Sequence, residues 1–371
     1  MGNVSNISRE GVINENYNYK NHKNHAKNKE GGYTLTLLKM EETILDNYVA
    51  PEIPGYAESI IKNILGTKTE LQSVEWSAGG LYNKVFYVHT SEGCFILKIE
   101  CEKIFPSSRT GQMENEVEGI RLFTQAGIPC PKVLAHDFTG NDIGVRYIFT
   151  ERVSGDIVLS DIEQMDDDTK AEVERQSNEI YTRMKTITNT HFGSLSSAGP
   201  LGWHKTWDEC YRAWFNVLIC DSVDIGLFTN EELAIVQAAA EKPLDSFQTY
   251  APTFEHGDLG WHNMIWGHIN DGSDALYAID FGNARYVPPH LTVWGNSPHE
   301  VPNAQSLDRD INLLLLYDFE MSVMWKEMQK LTKDYAHCLN WMTTGIEKAK
   351  DDISRDHITA FVEKCRVIRQ S

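Results

Sequence analysis

The sequence predicts an α+β protein of two lobes, a small β-rich one near the N terminus and a larger, mainly helical one after it. Three observations predict it. At 371 residues the chain exceeds one ordinary domain and can bury a large core. Between residues 76 and 99, short apolar runs carry the alternation of strands. From residue 169 onward, apolar side chains recur mainly at helical spacing.

Residues 1–32 are rich in asparagine, carry Lys20, Lys23, Lys27 and Lys29, and hold few apolar side chains, so they read as a disordered polar extension outside the fold. Met1-Gly2 opens a myristoylation pattern, but Asn6 stands where Ser or Thr is required, which rejects it. Residues 76–88 read as strand, small-residue turn through Gly79-Gly80, and strand, with Val85 and Tyr87 on one face and Phe86 and Val88 on the other. Phe95-Ile96-Leu97-Lys98-Ile99 then sets a lysine inside an apolar strand, where its charge needs a phosphate or a carboxylate as partner.

The next helix is expected at about 112–125 and carries Glu114, Glu116 and Glu118. Counting back from the turn at Gly127-Ile128-Pro129, Glu116 is the inward one, near the face of Ile120 and Phe123. The other two are read as a solvated face. Further helices are expected at 169–187, with Val173, Ile180, Tyr181, Met184 and Ile187 at helical spacing, then at 207–220, 231–241 and 308–331, with one more before the end. The acidic run Asp161, Glu163, Asp166, Asp167 and Asp168 suits a helix start near Asp168-Thr169, where the dipole favours carboxylates. Tyr211 and Trp214 are read as core, and Trp207 is left open between core and stacking on a ring.

The densest chemical signal is His256-Gly257-Asp258-Leu259-Gly260-Trp261-His262-Asn263, followed by Ile279-Asp280-Phe281-Gly282. Phe254 before the loop, and Met264, Ile265 and Trp266 after it, suit short buried strands, and 277–279 suits a third that delivers Asp280 to the same end. An H-x-D-x-x-x-x-N loop with D-F-G at short range is the spacing of a kinase catalytic loop and its metal-binding strand end. Phosphoryl transfer needs a carboxylate beside the attacking hydroxyl and oxygen ligands for Mg²⁺ that screen the phosphates. Asp258 is the candidate catalytic residue and Asn263 and Asp280 the candidate metal ligands. Gly282 is expected at a chain reversal with unusual dihedrals, and His256 as a prop for the loop backbone rather than a base. Trp261 and His262 either face the substrate or pack. Lys98, Glu116 and the Gly79-Gly80 turn are the candidates for holding the nucleotide phosphates, the glycines alone being a weak signal.

These residues resemble the aminoglycoside phosphotransferase family, a small-molecule branch of the protein-kinase-like fold that includes choline and homoserine kinases. The resemblance spans about 74–316 and rests on H-G-D-x-x-x-x-N at 256–263, I-D-F at 279–281 and a G-I-P-x-P-x-V-L segment at 127–134. It implies a bilobal fold, with an N-terminal nucleotide-binding lobe at 33–152 and a catalytic, substrate-binding lobe at 153–371. It also implies ATP or GTP with Mg²⁺ as cofactors, and a hinge in which backbone groups of Glu151 to Val153 meet the adenine edge. Softer matches are Asp308-Arg309-Asp310, similar to a helix start that supports the catalytic loop, and 192–207, similar to the substrate-side insertion of hygromycin-type enzymes. The Pro-rich stretch after Asp280, with Pro288, Pro289, Pro298 and Pro302, is longer than the family's usual connection.

Composition narrows the class. The seven cysteines are scattered without a C-x-x-C pair, which fits reduced thiols in a cytoplasm and no zinc site. No apolar run reaches membrane-spanning length and no secretory segment opens the chain. A net charge of −19 argues against nucleic acid as a partner and suits a small hydroxyl-bearing substrate of cationic or sugar-like chemistry. The rival readings are a non-catalytic nucleotide-binding regulator, which would show degraded motifs, and a protein kinase, which would show an A-P-E-like segment after D-F-G.

Overall fold

A five-stranded antiparallel sheet of order β1-β2-β3-β5-β4 forms the first lobe of this computed structural model. Its strands are β1 (Leu71–Trp76), β2 (Asn83–Thr90), β3 (Gly93–Glu100), β4 (Val133–Asp137) and β5 (Tyr147–Glu151). The structure describes residues 52–77, 83–100, 111–158, 162–199, 201–240, 251–269, 272–289 and 355–370. The polar extension at 1–32, the Gly79-Gly80 turn, the helix expected at 308–331 and most of the Pro-rich stretch lie outside them.

Alternation along β2 and β3 decides which face is core. Phe86, Val88, Leu97 and Ile99 are buried with Phe149 of β5, and helix α1 (Glu52–Ile64) closes over them with Ile53, Ala57, Ile60 and Ile61. Those four recur at helical spacing, and each buried isoleucine is worth about 2 kcal/mol, so packing rather than propensity seats α1. The other face of β3 carries Lys98, which sits opposite Val85 of β2 and Ile148 of β5. On that side lies α2 (Gln112–Gln125), whose bounds match the sequence expectation and whose Met113, Glu116, Ile120 and Phe123 are buried.

Between Glu151 and Ser154 the chain leaves the first sheet. Strand β6 (Ser154–Ile157) pairs with β10 (Met264–His268), which pairs with β11 (Ala275–Ala278). A four-stranded sheet follows, of order β8-β7-β12-β9, from β7 (Phe192–Ser194), β8 (Trp203–His204), β9 (Thr253–Glu255) and β12 (Arg285–Val287). The catalytic-loop sequence thus leaves β9 and enters β10, and Asp280 follows β11. The three short strands foreseen around the two motifs are all present.

Helix α3 (Asp167–Met184) starts earlier than expected: Asp166, not Asp168, caps it by accepting the Thr169 N–H at 2.8 Å. Helix α4 (Trp207–Ile225) opens with a reciprocal Thr206–Glu209 capping box and runs past Cys220 to Gly226, whose left-handed conformation ends it. Helices α5 (Asn230–Ala240) and α6 (Arg355–Gln370) follow among the described residues. A shared core joins Trp207, Tyr211, Trp214 and Phe215 of α4 to Phe361 and Val362 of α6.

Candidate active site

The loop from β9 to β10 is held by its own sequence. Gly257 has φ of +79°, and a Cβ there would lie 2.4 Å from the Asn283 carbonyl oxygen, so only glycine lets the loop pack against the turn after Asp280. Tyr181 Oη donates to the Leu259 carbonyl at 2.6 Å and pins the loop to α3. Asp258 follows Gly257 with its carboxylate half-exposed. Asn263 Nδ2 donates to Asp258 Oδ2 at 3.1 Å and to the Asp258 carbonyl at 2.9 Å. His262 Nε2 donates to Asp258 Oδ1 at 3.0 Å, and that bond holds the imidazole above its ordinary pKa. Both oxygens of the carboxylate are therefore oriented. Trp261 is buried in the core beneath, so of the two loop residues left open by the sequence one packs and the other contacts Asp258.

His256 is buried, edge to face with Phe123 and close to Phe281. Its Nε2 donates to the Ile279 carbonyl at 3.1 Å. Burial pushes its pKa down to about 4, so the ring is neutral near pH 7. It ties the loop to the strand that delivers Asp280, and a second tie runs from the Ile279 N–H to the Asn263 carbonyl at 3.0 Å. Among the described residues the buried His256 Nδ1 has no hydrogen-bond partner.

Asp280 is the one non-glycine residue with positive φ among the described residues, at 64°. Aspartate tolerates this left-handed state better than most residues, and such strain, on the order of 1–3 kcal/mol, gathers at functional sites. Gly282, expected to supply the unusual dihedral, is instead in a short 3₁₀ turn (Phe281–Asn283) without positive φ. The chain reverses at the aspartate, and a Cβ on Gly282 would meet nothing nearer than Gln112 at 3.4 Å.

Lys98 Nζ lies 2.7 and 2.6 Å from the two Glu116 oxygens and 3.3 Å from Asp280 Oδ1. Burial works against the ammonium, but the Glu116 and Asp280 carboxylates outweigh it and hold Lys98 well above its ordinary pKa. Lys98 in turn holds Asp280 below the usual carboxylate range. Two carboxylates around one ammonium leave a surplus negative charge beside a solvent-accessible Asp280. The donors fit Mg²⁺, which takes oxygen ligands and binds through one or two carboxylates with substrate phosphates rather than in an all-protein cage. Asn263 has its amide nitrogen committed to Asp258, leaving Oδ1 as its oxygen donor. Among the described residues no group of three or more His, Cys, Asp or Glu converges as a metal cage.

A family model described as a phosphotransferase enzyme family matches residues 77–294, more than half of the chain. The protein belongs to that family. It is a small-molecule kinase with the α+β, bilobal, protein-kinase-like fold. Among solved structures, the gentamicin complex of APH(2")-IIa aligns at TM-score 0.53 and 15% identity, over 84% of this chain and 98% of that one. A protein from Ralstonia eutropha JMP134 assigned as an aminoglycoside phosphotransferase aligns at 0.52 and 12%, over 84% and 98%. One from Haemophilus somnus 129PT assigned as a fructosamine-3-kinase aligns at 0.50 and 13%, over 80% and 96%. At these identities the likeness shows the shared fold. No curated protein matches the sequence significantly.

The remaining candidates of this phosphotransferase are less uniform. Glu114 is not on a solvated face: it pairs with Arg146, which also binds Glu100 at 2.8 and 2.9 Å, so the triad ties α2 to the end of β3. Glu118 pairs with Arg121 within its helix. At the hinge the Glu151 N–H donates to the Lys132 carbonyl at 3.0 Å, and Glu151 Oε2 accepts from the Lys132 N–H at 3.1 Å. That backbone N–H is paired between the two neighbouring segments of the sheet. Val153 is buried beside it. Gly79 and Gly80 lie outside the described residues, as do Asp308 and Asp310. Trp207 joins Tyr211 and Trp214 in the core, where Arg285 sits 3.9 Å above the Trp214 ring. Trp203 differs: it is 55% exposed and stacked on His191.

Proposed function

We propose that this phosphotransferase moves the γ-phosphate of ATP, or of GTP, to a hydroxyl of a small molecule of aminoglycoside, sugar or amino-alcohol type, with Mg²⁺ as cofactor. The observation that carries the reading is the half-exposed Asp258 carboxylate, oriented by His262 and Asn263 and tied through Ile279 to the strand end where Asp280 meets Lys98.

In this reading Asp258 orients the substrate hydroxyl and accepts its proton as the phosphoryl group is transferred. Lys98 neutralises and positions the nucleotide phosphates, and Glu116 holds the ammonium where the phosphates arrive. Asn263 Oδ1 and Asp280 would hold Mg²⁺, which would screen the negative charge of the phosphates. His256 ties the loop to the chain that leaves β11 and moves no proton. Residues 33–152, with Gly79, Gly80, Glu151 and Val153, would hold the nucleotide, and 153–371 the substrate. The acidic chain suits a cationic acceptor.

The test is ADP release with Mg-ATP across aminoglycosides, including hygromycin, and choline, homoserine, macrolides and methylthioribose. Turnover confined to one class supports the reading and names the substrate. Tight ATP binding with no turnover on any acceptor favours a nucleotide-binding regulator instead.

A further inference from the structure

Asn115 precedes Glu116 on α2 and is buried, yet neither its position nor its type marks it as a nucleotide contact. Its amide is used at both ends by backbone of other segments. Nδ2 donates to the Gly282 carbonyl at 3.3 Å, two residues after Asp280, and Oδ1 accepts the Ser196 N–H at 3.0 Å from the connection between β7 and β8. One turn earlier, Gln112 Nε2 donates to Asn283 Oδ1 at 2.9 Å. One turn later, Gly119 lets the same face close on Phe281: a Cβ there would lie 2.6 Å from the Phe281 Cβ. Positions 112, 115 and 119 share one helical face, so α2 is latched along the whole Phe281–Asn283 turn.

The latch has a consequence for charge placement. Glu116 points from the helix to Lys98, while Asn115 anchors the turn that carries Asp280 in its left-handed state. The 3.3 Å approach of Lys98 to Asp280 therefore depends on one helix holding both a side chain and a backbone carbonyl. A buried amide of this kind is costly to replace, because an apolar side chain leaves the Gly282 carbonyl and the Ser196 N–H unpaired.

We infer that Asn115 is a positioning residue for the phosphoryl-transfer site, setting Asp280 against the Lys98–Glu116 pair so that metal and nucleotide bind together. This rests on the proposed role of Asp280 in holding Mg²⁺. The test measures ATP affinity calorimetrically with and without Mg²⁺ for the wild-type chain, Asn115→Leu and Gln112→Ala, alongside thermal unfolding. In Asn115→Leu the Mg²⁺-dependent gain in affinity should fall about tenfold or more, as for partners that orient metal ligands. Metal-free ATP affinity should stay largely unchanged. Gln112→Ala, on the less buried end of the latch, should fold normally and shift the same ratio in the same direction by less. Variants that keep the wild-type Mg²⁺ gain, whatever their melting temperatures, would overturn the inference and leave Asn115 as ordinary packing. A wild-type chain that gains nothing from Mg²⁺ would be a different failure, of the proposed function and of the inference with it.

Discussion

His262 donates through Nε2 to Asp258 Oδ1 at 3.0 Å, across one turn of the loop that also presents Asn263 to the other carboxylate oxygen. The contact fixes the candidate base without taking its proton-accepting role. A hydrogen bond to a half-exposed carboxylate is worth about 1 kcal/mol after solvent screening, or about fivefold in rate. His262→Ala should therefore lower kcat by about that factor, with little change in ATP affinity. Steady-state kinetics at saturating ATP decide this, and an unchanged kcat would reduce His262 to a surface residue.

The Lys98–Glu116 pair is largely buried, and removing the Glu116 charge leaves the ammonium only the more exposed Asp280 carboxylate at 3.3 Å. Glu116→Gln keeps the shape and deletes the charge; with Asp280 still beside the ammonium it should destabilise the folded chain by roughly 1–3 kcal/mol. Urea unfolding measures it. A midpoint equal to wild type would mean that the pair is not formed in solution.

Gly257 is required twice, by its dihedral and by the nearby Asn283 carbonyl. Gly257→Ala should cost on the order of 1–3 kcal/mol and displace Asp258 with it. Turnover should fall further than stability alone explains, as seen by comparing kcat at a temperature where both proteins are folded. Equal kcat values would show that the loop relaxes without moving Asp258.

Burial holds His256 at about 4 against its ordinary 6.5. Between those values the unfolded chain binds a proton that the folded chain refuses. This contribution to stability is fully present above pH 6.5 and is lost as pH falls through that window, by roughly 3 kcal/mol in all. His256→Gln should lose less stability than wild type between about pH 7 and about pH 5 in urea titrations. Parallel losses in the two proteins would mean that the imidazole charges in the folded state.

Local spacing carried most of what could be read in advance. The bounds of α2, the choice of Glu116 among three glutamates, and the strands around both motifs follow from periodicity and turn residues, which are short-range signals. What was not legible depends on partners distant in the chain. Arg146 draws Glu114 off the surface, and nothing near residue 114 announces that arginine. The unusual backbone falls on Asp280 rather than Gly282 because the Asp258 loop and α2 fix the turn between them, a tertiary constraint that outweighs glycine's freedom. Asn115 reads as an ordinary polar helix residue until the turn it anchors is in place. Trp207, left open between core and stacking on a ring, shares the helical spacing of Tyr211 and Trp214 and packs in the core with them. Helix α1 had a readable stripe at Ile53, Ala57, Ile60 and Ile61, which was the signal available for it.

The most direct test of the account compares wild type with Asp258→Asn for ADP release and for Mg-ATP binding on the same preparation, using an acceptor that the wild type phosphorylates. Near-complete loss of acceptor-dependent ADP release with nucleotide binding largely intact is expected, because in the proposed function Asp258 would face the acceptor hydroxyl while Lys98, Asn263 and Asp280 would hold the nucleotide and its metal. Turnover retained in Asp258→Asn at a level near wild type would contradict it.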